Sequence, residues 1–211
     1  MVCQVTNRNP ETYVVTLLTS YHSCTLPVLS FEGATKRSKP NLKVGALVYA
    51  RVVQADRHSE PELSCVDLQT GKGEGLGELK VGGREEGLCT IFKVSIPLAG
   101  SMLMPSHPLL PALSTNFPFE AAVGHNGIVW VRAAGPRQLI AFGKVLEAAD
   151  KLDVYSIASR GRVRTKQTDQ EDGDAEMADQ KDDGLTAQDV VKLRGRLPEA
   201  EIKRIVQQYV A

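Results

Sequence analysis

The chain has 211 residues, 42% of them apolar, with 25 basic and 25 acidic side chains. This length suits one large domain or two small ones, and the apolar fraction can bury a core, which excludes a chain disordered throughout. The neutrality hides an asymmetry: residues 1–164 hold 18 basic and 14 acidic side chains, and residues 165–184 hold two basic and eight acidic, so a mildly basic body, compatible with phosphate-bearing partners, adjoins an acidic segment.

The first part of the chain reads as β-structure. Residues 2–6 and 12–18 are β-branched or apolar, and the turn-like Asn7-Arg8-Asn9-Pro10 separates them. A third apolar stretch, 25–31, leads into a basic loop, 32–41. Residues 44–53 form a long strand pattern, and residues 62–68 a last one beyond a second loop. Five short strands with polar loops between them predict a small barrel or sandwich. The glycine-rich run 71–83 reads as a linker: it has neither the P-loop spacing nor a dinucleotide fingerprint followed by a long helix.

Beyond the linker a strand and helix are expected within residues 87–104, followed by a turn at Pro105, Pro108 and Pro111. Two strands, 117–123 and 128–133, flank Gly124-His125-Asn126-Gly127, and Asn-Gly is a strong hairpin signal because both residues tolerate positive φ. Pro136 then opens a helix whose stripe is Leu139, Phe142, Leu146 and Ala149, widened by Ile140 and Val145. Strand, helix, two strands, helix is the order of a small α/β domain. Residues 153–184 have few apolar anchors and are expected to be largely disordered. Residues 185–211 recover helical periodicity as two short helices, the first capped by Thr186 and the pair divided by Pro198.

Chemistry-bearing constellations are sparse. Cys3, Cys24, Cys65 and Cys89 are far apart, and His22, His58, His107 and His125 do not complete a zinc site with them, so no metal and no other cofactor is expected. The thiols read as reduced and mostly buried. No apolar run is long enough to span a bilayer, and the N-terminus lacks the pattern of a targeting peptide. A soluble intracellular protein with no small-molecule substrate is expected. Neither G-x-S-x-G nor H-E-x-x-H occurs, and no catalytic group is expected.

The basic loop offers more. Lys36, Arg37, Lys39 and Lys43 fall within eight positions, close to the strand aromatics Tyr13, Phe31 and Tyr49. Single-stranded RNA is bound by such a mixture of cations for the backbone and flat rings for the bases. A solvated loop over buried aromatics is an equally good reading of the spacing. Gly124-x-x-Gly127 has the form of a KH clamp, but a clamp joins two helices and this run joins two strands, so a tight turn anchored by Trp130 is the better reading.

The run Leu29-Ser30-Phe31-Glu32-Gly33-Ala34-Thr35-Lys36-Arg37, then Pro40-Asn41, and Gly124-x-Asn126-Gly127-x-x-Trp130-Val131 together resemble the RNA exosome cap subunits, over about residues 1–152. The resemblance implies a multidomain α+β chain. A five-stranded OB-type S1 barrel (1–70) would be followed by a KH-like domain (71–152), an acidic segment (153–184) and a C-terminal helical pair (185–211). It implies a non-catalytic subunit that sits on RNase PH-like ring subunits beside other cap subunits. Such a subunit stabilises the ring and guides single-stranded RNA 3′ ends into the channel, in the nucleus and nucleolus and also in the cytoplasm. Tyr13, Phe31, Lys36, Arg37, Lys39 and Arg51 are the candidate RNA-binding residues. Gly124, Asn126, Gly127 and Trp130 are the candidate structural turn at the boundary between the domains. The family also carries a further β-rich N-terminal domain, whereas this sequence begins almost within the first S1 strand, and Val28 stands where many S1 domains have an aromatic or His. A purely architectural subunit, or a free OB/KH regulator outside the exosome, are the alternatives.

Overall fold

A computed structural model describes residues 1–20, 22–67, 69–80, 87–152 and 194–210. The first half is a curled sheet of seven short strands: β1 (Val2–Arg8), β2 (Thr12–Thr16), β3 (Ser23–Pro27), β4 (Leu47–Tyr49), β5 (Arg51–Gln54), β6 (Glu62–Ser64) and β7 (Gly77–Leu79). They are ordered β5-β6-β3-β2-β1-β4-β7, antiparallel except for β3 against β6. Alternation along β2 and β3 puts Tyr13, Val15, Cys24 and Leu26 in the barrel core.

Two expectations change here. The continuous pattern at 44–53 is broken at the fully buried Ala50, so that β4 pairs with β1 and β5 pairs with β6. A closing barrel must bend its strands, and one apolar run thereby serves both ends of the sheet. The glycine-rich run is also more than a connection, because Gly77–Leu79 forms β7 and pairs with β4. A three-residue strand among glycines leaves no alternating pattern to read.

The second half comprises β8 (Leu88–Lys93), α1 (Ile96–Met102), α2 (Leu109–Ser114), β9 (Phe119–Val123), β10 (Ile128–Ala133) and α3 (Pro136–Lys151). The sheet order is β8-β10-β9, with all pairs antiparallel. The expected proline turn contains a helix, α2, because Pro111 falls in its first turn, where proline is tolerated, while Leu109 and Leu113 are buried one turn apart. Pro136 opens α3, and Gln138 Oε1 accepts the Gly135 N–H at 3.0 Å. Leu139, Phe142, Val145, Leu146 and Ala149 are buried as the periodicity requires. Ile140 is not part of that stripe and stands 51% exposed.

The chain ends with α4 (Glu199–Val210), which buries Ile202 and Val206 in the same core as α3. The expected first helix of the C-terminal pair falls mostly on residues 186–193, outside the described residues, as does the acidic segment. Leu197 is buried in the turn before α4. His107 ties this segment down: its Nε2 donates to the Arg194 carbonyl at 2.9 Å and its Nδ1 accepts the Leu109 N–H at 3.4 Å. The second bond needs the neutral ring, because a protonated Nδ1 cannot accept. Burial lowers the His107 pKa, the Arg194 carbonyl opposes this, and the nearby Arg196 adds to the lowering.

Because the folded pKa lies below the ordinary 6.5, the unfolded chain takes up the proton first. Stability from His107 is therefore complete above that value and is lost as pH falls below it. Thermal melts should show a larger drop in Tm from about pH 7 to about pH 5 for the wild type than for His107→Gln. Parallel pH profiles would show that His107 is not the titrating group.

Candidate nucleic-acid interface

The motif around the basic loop folds as two consecutive turns. Ala34 N–H donates to Phe31 O at 3.0 Å across Gly33, whose φ of +70° suits the third position of such a turn. Thr35 then closes the second turn: its N–H donates to Ser38 O at 2.9 Å, and its hydroxyl accepts the Ser38 N–H at 3.0 Å. Lys36 and Arg37 are the two central residues of this second turn. Both are exposed at its tip.

The rest of the loop is anchored. Glu32 Oε2 accepts the Gly73 N–H at 3.0 Å, and a Cβ at Gly73 would come within 2.9 Å of that oxygen. Here the glycine run is needed for close approach, not for flexibility. At the far end the Tyr13 hydroxyl donates to Pro40 O and accepts the Leu42 N–H at 3.4 Å. Lys39 Nζ donates to Pro10 O at 3.0 Å, and Arg8 Nη1 donates to Asn41 Oδ1 at 2.6 Å. A cleft of about 300 Å³ lies among Arg8, Pro10, Tyr13, Val28, Lys39 and Pro40.

The predicted site residues are therefore divided. Lys36, Arg37 and Lys39 share one exposed loop. Tyr13 is only 2% exposed and meets Phe31 edge-on with ring centroids 6.2 Å apart, so its face is not free for a base. Its part in the site is to fix the loop. Phe31 is half-buried on the same cluster. Arg51 lies on β5 with Nη1 2.6 Å from Asp67 Oδ1, and that ion pair, not the loop, holds its guanidinium. Arg8 was not among the predicted residues: a single Arg at a strand end carries no periodic or motif signal.

The Gly124–Gly127 turn is built at the contact between the two halves. Asn126 is buried, and its Nδ2 donates to Val2 O at 2.8 Å and to Leu17 O at 2.7 Å, both in the barrel. Its Oδ1 accepts the Val2 N–H at 3.4 Å. Gly127 has φ +74°, and a Cβ there would stand 2.6 Å from Val94 O. A Cβ at Gly124 would stand 2.2 Å from Asn126 Oδ1 and 2.8 Å from Val2 N. Trp130, Ile128 and Ala122 pack on Val2, Leu47 and Leu79 of the barrel, and the Tyr49 hydroxyl donates to Val123 O at 2.8 Å.

The position of a KH clamp is the α1–α2 connection, residues 103–108, which contains no glycine. Its His107 is the group that holds Arg194. Cys3 and Cys65 are free thiols pushed up to about 12 by burial, and Cys24 is raised for the same reason, so these thiols stay protonated and unreactive.

Residues 1–77 match the family described as exosome complex component RRP40, S1 domain, and residues 90–137 match a KH domain family. The exosome complex component rrp40 of Schizosaccharomyces pombe is 45% identical over 133 residues, 63% of this chain and 52% of that protein. Both halves of the chain are thus similar to known families, the first to the RRP40 S1 domain and the second to a KH domain. RRP40 of Saccharomyces cerevisiae is 34% identical over 159 residues, covering 74% of this chain and 63% of its own length, and human RRP40 is 36% identical over 127 residues, covering 60% and 44%. The chain thus spans about half the length of the first two of these three RRP40 proteins or somewhat more, and less than half of the human one. A crystal structure described as an exosome complex RNA-binding protein has the same fold, with a TM-score of 0.55 at 19% identity over 77% of this chain and 93% of that one.

Asn126→Ala would leave two barrel carbonyls without their donor and should cost about 1–3 kcal/mol. Gly127→Val meets both positive φ and a backbone oxygen, and should cost about 1–3 kcal/mol from strain. Denaturant titration checks both, and an unchanged midpoint for either would mean that the turn does not carry the joint.

Proposed function

We propose that this chain belongs to the RRP40 family and is a non-catalytic, RNA-binding cap subunit of an RNA exosome. In this reading it packs on RNase PH-like ring subunits and neighbouring cap subunits, stabilises the ring, and guides single-stranded RNA 3′ ends towards separate nucleases. It works in the nucleus and nucleolus and in the cytoplasm. The observation that carries the RNA contact is the staked basic turn: Lys36 and Arg37 project from a loop held at both ends, with Lys39 beside them. Fixed cations hold phosphates with less ordering cost than mobile ones. Tyr13 supports the loop from within the barrel, Phe31 borders the cluster, and Arg51 reaches the backbone only by sharing its charge with Asp67. We also assign the S1 unit to the barrel through β7 and the KH unit to β8–α3.

Changing Lys36, Arg37 and Lys39 together to Ala should weaken binding of single-stranded RNA and lower its log–log salt slope by up to about 2, since each phosphate contact contributes about 0.7. Fluorescence anisotropy at several salt concentrations measures both quantities. Unchanged affinity and slope would remove the RNA-binding claim. If the same variant instead failed to join reconstituted ring subunits, the loop would be an architectural contact.

A further inference from the structure

Four of the large apolar side chains left exposed lie on β8, just beyond it, or on the helix beside it: Leu88, Ile91, Ile96 and Ile140. β8 is an edge strand, bonded to β10 and to no other described strand. Val94 N–H donates to Gly127 O at 2.9 Å. In an antiparallel ladder this puts Leu88, Thr90 and Phe92 in hydrogen-bonded pairs with β10 and turns the N–H and C=O of Cys89, Ile91 and Lys93 outward. Exposed edges are normally blunted by proline, bulges or several charges. β8 is six residues long, pairs without a register shift and has one charge, Lys93.

A groove of about 510 Å³ runs alongside, between β8 and α3. Phe92, Val94, Ile140 and Leu146 line it. Gly143 lets the Phe92 ring lie against the helix, where a Cβ would stand 2.5 Å from it. The rim is cationic in effect. Its two carboxylates are engaged: Glu147 is shared by Lys144 at 2.9 Å and Lys151 at 2.7 Å, and Asp150 accepts from the N–H and hydroxyl of Ser95. Among the described residues Lys93 has no carboxylate partner.

We propose that the β8 edge and this groove take an extended, acidic segment of a partner protein as a fourth strand. The outward N–H and C=O groups of Cys89, Ile91 and Lys93 supply the backbone bonds. Apolar residues at alternate positions of the segment enter the groove over Phe92 and Ile140, and a carboxylate meets Lys93. The surface is separate from the basic loop, so this inference does not rest on the RNA reading.

The probe is a set of fluorescein-labelled peptides alternating Phe or Val with Glu, titrated into the full chain. Saturable binding is expected, weakened about tenfold or more by Ile91→Pro, Ile140→Glu and Lys93→Glu, with RNA affinity unchanged. The Ile91 N–H points away from β10, so proline there removes an outer donor and keeps the ladder. Ile140 and Lys93 are exposed, so their variants should melt as the wild type does. Peptides alternating Phe or Val with Lys should recover binding to Lys93→Glu. In the free chain the amides of Cys89, Ile91 and Lys93 should exchange with D2O much faster than those of Thr90 and Phe92. Equal protection of both sets would mean that the chain covers its own edge, and the proposal would fall. It would fall equally if no peptide bound below about 1 mM, or if binding ignored all three variants.

Discussion

The two halves are joined by the carboxamide of Asn126. A buried amide must find partners for a donor pair and an acceptor, and here all of them come from the barrel backbone at Val2 and Leu17. An aspartate would keep the acceptor and lose the donors, and an alanine would leave the carbonyls exposed to an apolar wall. The flanking glycines follow from this demand. Gly124 must let Val2 approach, and Gly127 must turn the chain back under Val94. Trp130 and Tyr49 then close the contact with apolar area and one further hydrogen bond. Sequence, turn geometry and domain arrangement are thus one constraint viewed at three scales.

The same logic organises the basic loop. A loop of charged residues tends to sample many conformations, because little holds it. Here Glu32 and Tyr13 hold its ends from opposite sides of the Lys36–Arg37 tip. The aromatic that sequence reasoning offered to a base instead serves the backbone. In the proposed RNA-binding role, that exchange would move the burden of contact from stacking to phosphate electrostatics, with an affinity dependent on salt and indifferent to sequence.

Much of the fold was legible because its signals are local. The alternation in β1 to β3, the Asn-Gly turn, and the Pro136 start and apolar stripe of α3 each follow from a few neighbouring residues. What was not legible depends on distant partners. β7 exists because β4 offers an edge, and Ala50 breaks a strand because the barrel must bend there. Ile140 sits at a position the helical period would accept, yet it faces a groove, since no described element packs above it. The motif around Phe31 marked the candidate site as a location. It could not say that Tyr13 points inward, because an aromatic on a strand has two faces to choose from and only the register decides.

The second domain keeps the KH order of elements and redistributes their tasks. Its α1–α2 connection lacks the glycines that let backbone approach a nucleic acid, and that connection supplies His107 to fasten the segment before α4. Gly195 in that segment, at φ +73°, packs so closely on Leu98 that a Cβ would stand 2.2 Å from its Cδ1. The surface where a clamp would work is therefore taken up by the chain itself. The KH unit is left with two faces of consequence. One is the Trp130 face, sealed against the barrel. The other is the β8 edge, which the described chain leaves open.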